Sequence, residues 1–290
     1  MKYEGSIIRP PSEAYSQLLQ VTVGCSHNKC TFCPAYKEKK FRIKSFDEIE
    51  GDILESSRYG WIEKVFLCDG DALIIPQPRL IQIMESIRKN IRGVKRVGTY
   101  ANAKSILKKT DADLIELKQL GLGIIYLGVE TGNKELLAKI RKGVTYEQMV
   151  QAGHRVKNAG IPLSVTVILG IGGKEKSMQH AAETAKILTD IDPDFAGALT
   201  VMLVRGTPLY EQCQTGEFIL PDQFGLLKEL ATIISDSHFT NCFFTSNHAS
   251  NYLPVKARLP QEKEAVLHVI SRIIETGDSG RLRPEYLRGL

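Results

Sequence analysis

No run of about 20 apolar residues occurs anywhere in the 290-residue chain, so the sequence offers no membrane-spanning helix. The opening residues, MKYEGSIIRPPSEAY, lack the apolar core of a secretory leader, and the expectation is a cytoplasmic protein. Low-complexity tracts and solenoid-type repeats of roughly 20 to 50 residues are also missing. Concentrated charge is missing too: 38 Lys and Arg stand against 33 Asp and Glu, a net +5, and basic runs are as short as Lys37 to Lys40. A solvated surface explains that balance as well as nucleic-acid binding does. Cysteine is scarce, six in all, and Cys68, Cys213 and Cys242 come singly and far apart. In a reducing compartment the remaining cluster, Cys25, Cys30 and Cys33, points to metal or catalysis rather than to a disulfide framework.

What the chain does have is a large apolar content, 43% against 24% charged residues, enough for one principal domain with a sizeable core. Short β-rich runs alternate with amphipathic ones. The strand candidates are SQLLQVTVG (16–24), KVFLCDG (64–70), RVGTYAN (96–102), GIIYLGVE (123–130), LSVTVILGIG (163–172) and AGALTVMLV (196–204). Helix candidates cover 45–59, 77–90, 111–120, 146–158 and 177–189. Ser45 followed by Phe46-Asp47-Glu48 reads as a capping box, and Gly160 as a helix stop. Repeated strand-then-helix units imply parallel strands joined by right-handed crossovers.

Such a pattern permits a doubly wound sheet or a full or partial parallel (β/α) barrel. The unusual residues favour the barrel, because all fall at the carboxyl ends of strands. The cysteines follow the first, Asp69-Gly70-Asp71 end the second, Tyr100-Ala101-Asn102 the third, Glu130 the fourth, and Gly170 to Gly173 the fifth. In barrels the strand-to-helix loops converge on that face. After Arg205 the alternation fades into a tail with a helix near 222–235, a strand near 242–245 and a helix near 261–274.

The three clustered cysteines are spaced C-x4-C-x2-C. Structural zinc sites are normally tetrahedral, with two well-separated thiolate pairs, and only one C-x2-C exists here. A [4Fe–4S] cube held by three thiolates keeps one iron open to a substrate or cofactor.

At this point the sequence resembles the radical S-adenosylmethionine (radical SAM) superfamily, whose usual motif is C-x3-C-x2-C with an aromatic residue before the last cysteine. Phe32 holds that aromatic position, and the first spacing is longer by one residue. FLCDGDA (66–72) resembles the family's Gly-Gly-Glu segment, with Gly70 and Asp71 beside the cofactor ammonium. YLGVETG (126–132) resembles the ribose-contacting strand, with Glu130 as the candidate. The segment 140–145 resembles the one that meets the cofactor carboxylate, through Lys142 or Arg141. VTVILGIGG (165–173), containing Ile168, resembles the element that packs against adenine, and Asn102 is a further cofactor candidate.

The resemblance implies a (β/α)6 radical SAM barrel with an α/β C-terminal extension, residues 1–205 forming the partial barrel and 206–290 closing or covering it. It further implies that Cys25, Cys30 and Cys33 bind a [4Fe–4S] cluster. S-adenosylmethionine is then cleaved reductively to a 5′-deoxyadenosyl radical that abstracts hydrogen, with an electron donor such as a flavodoxin or ferredoxin. The nearest flavour is the branch of oxygen-independent coproporphyrinogen oxidases, tRNA methylthiotransferases and the elongator catalytic subunit. Only 24 residues precede Cys25, so no cobalamin domain is expected there, and no appended RNA-binding module is visible. A small-molecule substrate is therefore expected ahead of nucleic acid. The alternatives are a non-catalytic haem or iron–sulfur carrier on the same barrel and a tRNA-modifying enzyme. Blander roles exist as well: Asp71 and Glu130 could cap helices, Lys142 could end one, Asn102 could support a turn, and 247–252 could be a self-bonded loop.

Overall fold

Strand and helix alternate from Gln17 to Thr200 in the computed structural model, which describes residues 1–289. The chain runs through β1 (Gln17–Gln20), β2 (Thr22–Val23), β3 (Arg42–Ile43), α1 (Phe46–Ser56), β4 (Lys64–Cys68), α2 (Gln77–Asn90), β5 (Arg96–Ala101), α3 (Ala103–Lys108), α4 (Asp111–Gln119) and β6 (Leu122–Glu130). It continues through α5 (Lys134–Lys139), α6 (Tyr146–Asn158), β7 (Leu163–Leu169), α7 (Gly173–Ile191), β8 (Phe195–Thr200), α8 (Pro208–Gln214), α9 (Gln223–Asp236), β9 (Cys242–Thr245), β10 (Lys256–Leu259) and α10 (Lys263–Thr276). No helix among the described residues is long and apolar enough to cross a membrane.

These elements fall into two compact units. Unit 1 comprises Met1–Asn28, Ala35–Leu127 and Gln151–Leu163; unit 2 comprises Lys29–Pro34, Gly128–Val150 and the residues from Ser164 onward.

In unit 1 the strands lie in the order β1-β4-β5-β6, all parallel, with Gln20 opposite Cys68, Leu67 opposite Thr99, and Ala101 opposite Leu127. β4 reads as a continuous apolar run because both its faces are covered. One face carries Phe66, Cys68, Ile124 and Tyr126, packed with Ile7, Leu18 and Tyr100. The rings of Phe66, Tyr100 and Tyr126 meet edge to face at 5.1 to 6.0 Å. Glu13 is buried at the same level, where Ser16, Arg96 and Tyr126 all donate to its carboxylate. The predicted capping box is present: Ser45 accepts from the Glu48 amide, and Glu48 accepts from the Ser45 amide.

In unit 2 the order is β7-β8-β9-β10, parallel except for the antiparallel β9–β10 pair. α7 buries one stripe, Ser177, His180, Ala181, Thr184, Ala185 and Leu188, and packs against α9, which packs against α10. The mostly parallel α/β architecture agrees with the sequence reading. The differences are local. The first predicted strand breaks at Val21 into β1 and β2, and α7 starts four residues before the predicted Ser177. α3, α5 and α8, of six or seven residues, are too short for periodicity to reveal. β10 takes its strand character from pairing with β9. The loop at 247–252 bonds within itself, as expected, and also to its surroundings: the Ser250 amide donates to His248 Nδ1 at 3.1 Å, while Ser250 accepts from the Thr200 amide and Asn251 from the Thr200 hydroxyl.

Candidate functional site

The cysteine segment is anchored at one end in unit 1, which holds Cys25, and at the other in unit 2, which holds Cys30 and Cys33.

In unit 1 the β1–β4 pairing continues beyond the strands. Val21 donates to Cys68 O at 2.8 Å, Asp69 to Thr22 O at 3.1 Å, and Gly70 to Gly24 O at 3.1 Å. The backbone just before Cys25 is thereby laid against Asp69-Gly70. Asp69 is fully buried, and its Oδ2 accepts from the Gly24 amide at 2.8 Å, Gln20 Nε2 at 3.0 Å and Lys39 Nζ at 2.9 Å. Gly70 is glycine for want of space: a Cβ there would meet the Tyr36 ring at 2.7 Å and the Cys25 Cβ at 3.1 Å.

Asp71, also fully buried, collects donors from both sides. Its Oδ2 accepts from Ser26 Oγ, from Asn102 Nδ2 at 2.6 Å and from Ser105 Oγ at 2.6 Å, and its Oδ1 accepts from the Asn102 amide at 3.3 Å. Burial pushes this carboxyl above its usual range, and the Ser105, Ser26 and Asn102 bonds oppose the shift. Asn102 also caps α3, accepting from the Ser105 amide at 2.9 Å, and its Nδ2 donates to Ser26 Oγ at 3.0 Å. Asp71 and Asn102 thus fix the residue that follows Cys25. Further along the segment, Asn28 donates to Tyr36 O at 2.6 Å, and Lys37 donates to Asn28 O at 3.0 Å.

In unit 2 the Cys30–Cys33 stretch is held by its backbone. The Thr31 amide donates to Ile140 O, and Thr31 O accepts from the Leu209 amide, both at 3.1 Å. Phe32 packs against a cluster containing Ile140, Ile168, Ile171, Val201 and Leu209, so the aromatic and adenine-side candidates share one apolar wall. Glu130 ends β6 with φ of 67° and accepts from Lys142 Nζ at 2.6 Å, both side chains being largely buried. A Cβ on Gly128 would run into Glu130 Oε1 and come within 2.9 Å of Lys142 Nζ, so that glycine makes room for the pair. The Lys142 amide closes the end of α5 by donating to Leu137 O at 3.0 Å, as the helix-end reading expects, while its ammonium pairs with Glu130, so the two cofactor candidates bind each other.

All six cysteines are thiols rather than disulfides. Among the described residues no three His, Cys, Asp or Glu side chains converge closely enough to hold a single metal ion. A cube differs in its demand, since each thiolate binds a separate iron. The chemistry of the donor set fits such a group: three soft thiols lie within one nine-residue segment.

The comparisons with known proteins follow this geometry. The chain belongs to the radical SAM superfamily, whose family model matches residues 19–188. Members of that family are enzymes that use a [4Fe–4S] cluster and S-adenosylmethionine. The tRNA-2-methylthio-N(6)-dimethylallyladenosine synthase of Dehalococcoides mccartyi is 27% identical over 198 residues, covering 66% of this chain and 46% of that protein. The chain thus spans about half the length of that relative. Among solved structures, coproporphyrinogen III oxidase from Escherichia coli superposes with a TM-score of 0.59 at 15% identity, over 76% of this chain and 52% of that one. Methylornithine synthase gives 0.53 at 18% identity, over 77% and 63%. These likenesses carry the fold, a partial barrel of the radical SAM type.

Sequence reasoning passed over several residues that build the site. In the sequence Asp69 is visible only as part of a strand end, Ser26 only as part of the gap between Cys25 and Cys30, Tyr36 only as part of the motif's continuation, and Ser105 carries no signal. Short spacing carries no signal for them, because their partners lie at separations such as 45 and 34 residues. In unit 2, Thr31, Thr131, His180 and Glu229 were also missed.

Proposed function

We propose that this chain is a radical SAM enzyme in which Cys25, Cys30 and Cys33 hold a [4Fe–4S] cluster, and that it acts on a small-molecule substrate. When bound, the cluster and S-adenosylmethionine supply a 5′-deoxyadenosyl radical for hydrogen abstraction, given an electron from a donor such as a flavodoxin or ferredoxin. The chain's own residues bind and orient. Gly70 lets the backbone pack closely against Cys25 and Tyr36, and Asp71 and Asn102 hold the Ser26 turn. Glu130 and Lys142 present a carboxylate and an ammonium to the ribose and the carboxylate of the cofactor, exchanging their mutual bond for these partners. Phe32 and Ile168 form the apolar wall for adenine and keep water from it. Residues 1–205 act as the barrel and 206–290 as its extension, in a cytoplasm that keeps the thiols reduced.

The observation that carries this reading is the cysteine segment: three thiols within nine residues, with Gly70 cleared of side chain where it meets Cys25. Anaerobic reconstitution tests it. The expected result is about four irons per chain, 5′-deoxyadenosine formed under reduction, and loss of both in the Cys25→Ala, Cys30→Ala, Cys33→Ala triple variant. Iron retained by that variant, or a native site restored by zinc alone, would overturn it.

A second reading, action on tRNA, is favoured by the likeness to the tRNA-modifying synthase. It requires tRNA affinity that falls steeply with salt.

A further inference from the structure

Unit 2 buries a polar cluster that none of the preceding roles uses. Glu229, on α9, and His180, on α7, are both fully buried, with Glu229 Oε2 3.9 Å from His180 Nε2. Among the described residues Glu229 takes no Lys or Arg as partner. Its Oε2 accepts from the Gly170 amide at 2.6 Å and its Oε1 from Ser177 Oγ at 2.6 Å. Burying a carboxylate without a cation is costly, and burial here raises its pKa to about 7. His180 Nε2 donates to Ile168 O at 3.0 Å, so the ring is the Nε2–H tautomer and Nδ1 must accept. Its one lone pair accepts from Thr131 Oγ1 at 2.8 Å, and Thr184 Oγ1 lies farther off at 3.2 Å. Burial keeps the ring neutral by lowering its pKa to about 4.

The polar ends of this cluster fall on particular backbone atoms. Glu229 holds the Gly170 amide and His180 the Ile168 carbonyl, the two groups on either side of Leu169 at the end of β7. Gly170 has φ of 80°, and a Cβ there would come within 2.8 Å of Leu226, so the chain turns sharply at this point. Thr131, which reaches His180, is the neighbour of Glu130. The same cluster therefore fixes the backbone beside both the adenine-side and the ribose-side candidates.

We propose that Glu229 is a positioning residue for S-adenosylmethionine, holding the Gly170 amide so that Ile168 presents its apolar face to adenine, with His180 securing the adjoining carbonyl. The inference rests on the radical SAM reading and assigns α9, in the C-terminal extension, a part in cofactor affinity.

The test uses the reconstituted full chain, with S-adenosylmethionine affinity measured by calorimetry alongside iron content, thermal midpoint and 5′-deoxyadenosine kinetics. Glu229→Leu keeps the volume and removes the acceptor. It should weaken binding about tenfold, the scale of one hydrogen bond to a charged group, and raise KM similarly, with iron and kcat at saturation retained. Glu229→Gln, whose amide oxygen still accepts from Gly170, should restore near-normal affinity. Ser177→Ala removes the other arm of Glu229 and should lower only the thermal midpoint. Unchanged affinity in Glu229→Leu, or equal weakening in Ser177→Ala, would overturn the proposal, since the loss would then follow packing rather than the Gly170 contact. If Glu229→Leu does not fold, Glu229→Asp takes its place, with weakened binding expected and unchanged binding overturning the proposal. A wild-type chain that binds neither iron nor S-adenosylmethionine sinks the radical SAM reading itself; normal wild-type binding with indifferent Glu229 variants sinks this inference alone.

Discussion

The cysteine segment is served by two different kinds of chemistry. Around Cys25, in unit 1, buried carboxylates collect this chain's own donors: Asp69 Oδ2 accepts from Gln20, Gly24 and Lys39, and Asp71 from Ser26, Asn102 and Ser105, while Asp69 Oδ1 is buried with no donor among the described residues. In unit 2 the candidate residues are an ion pair beside a glycine cradle, an apolar wall, and a neutral histidine near a carboxylate with no cation among the described residues. The first arrangement rigidifies backbone and leaves Asp69 Oδ1 as its open buried acceptor among the described residues. The second keeps groups that can exchange partners. Substitutions around Cys25 should therefore cost stability and cluster retention, and substitutions in unit 2 should cost cofactor affinity.

The largest expected effect is at Asp69. Asp69→Ala leaves the Lys39 ammonium largely buried without its carboxylate and the Gly24 amide without its acceptor, at a cost of about 3–5 kcal/mol in urea unfolding. A loss below about 1 kcal/mol would mean that water replaces the carboxylate and that the contrast is weaker than stated.

Next is Gly70→Ala, where the new methyl meets the Tyr36 ring. Overpacking of this kind costs about 1–3 kcal/mol, and iron retention should fall with it. Tyr36→Leu in the same chain should recover much of the loss, and strict additivity of the two would show that the clash is relieved elsewhere.

Gly128→Ala is the counterpart in unit 2. Its methyl displaces the Glu130–Lys142 pair, and the expected outcome is an S-adenosylmethionine KM raised about tenfold at near-normal iron content. Iron loss as large as in Gly70→Ala would erase the distinction between the two regions.

The smallest effect is a pH signature from His180 and Glu229. The His180 pKa is lowered from 6.5 to about 4, so the folded state binds fewer protons there, and the stability this group contributes is lost as pH falls from 6.5 through 4. The Glu229 pKa is raised from 4.5 to about 7, so its contribution is complete at low pH and lost as pH rises through 7. Between about pH 4.5 and 6.5 the two contributions oppose each other, so His180→Gln should make the urea midpoint fall as pH rises through that window and Glu229→Gln should make it rise. Profiles that stay parallel to wild type would remove the electrostatic account of this pair.

Much of the fold was legible in the sequence because burial on both faces makes parallel strands read as apolar runs, and because Ser45-x-x-Glu48 and Gly160 punctuate helices by local chemistry. The short helices α3, α5 and α8 and strand β10 were not legible, since a turn or two of helix has no measurable period and an edge strand is defined by its partner. Within the site, Phe32 and Ile168 were selected from sequence and share one cluster, and Glu130 and Lys142 were selected and are paired. That the two form an ion pair was not legible.

The sequence by itself determined the class of chemistry, because nine contiguous residues carry three thiols and an aromatic neighbour, and because strand-end residues recur in barrel order. Tertiary structure alone decided which donors each buried carboxylate meets. Asp69, Asp71, Glu130 and Glu229 are alike in composition. Their roles differ through burial and through donors 12 to 59 residues away, distances over which no local pattern constrains a side chain.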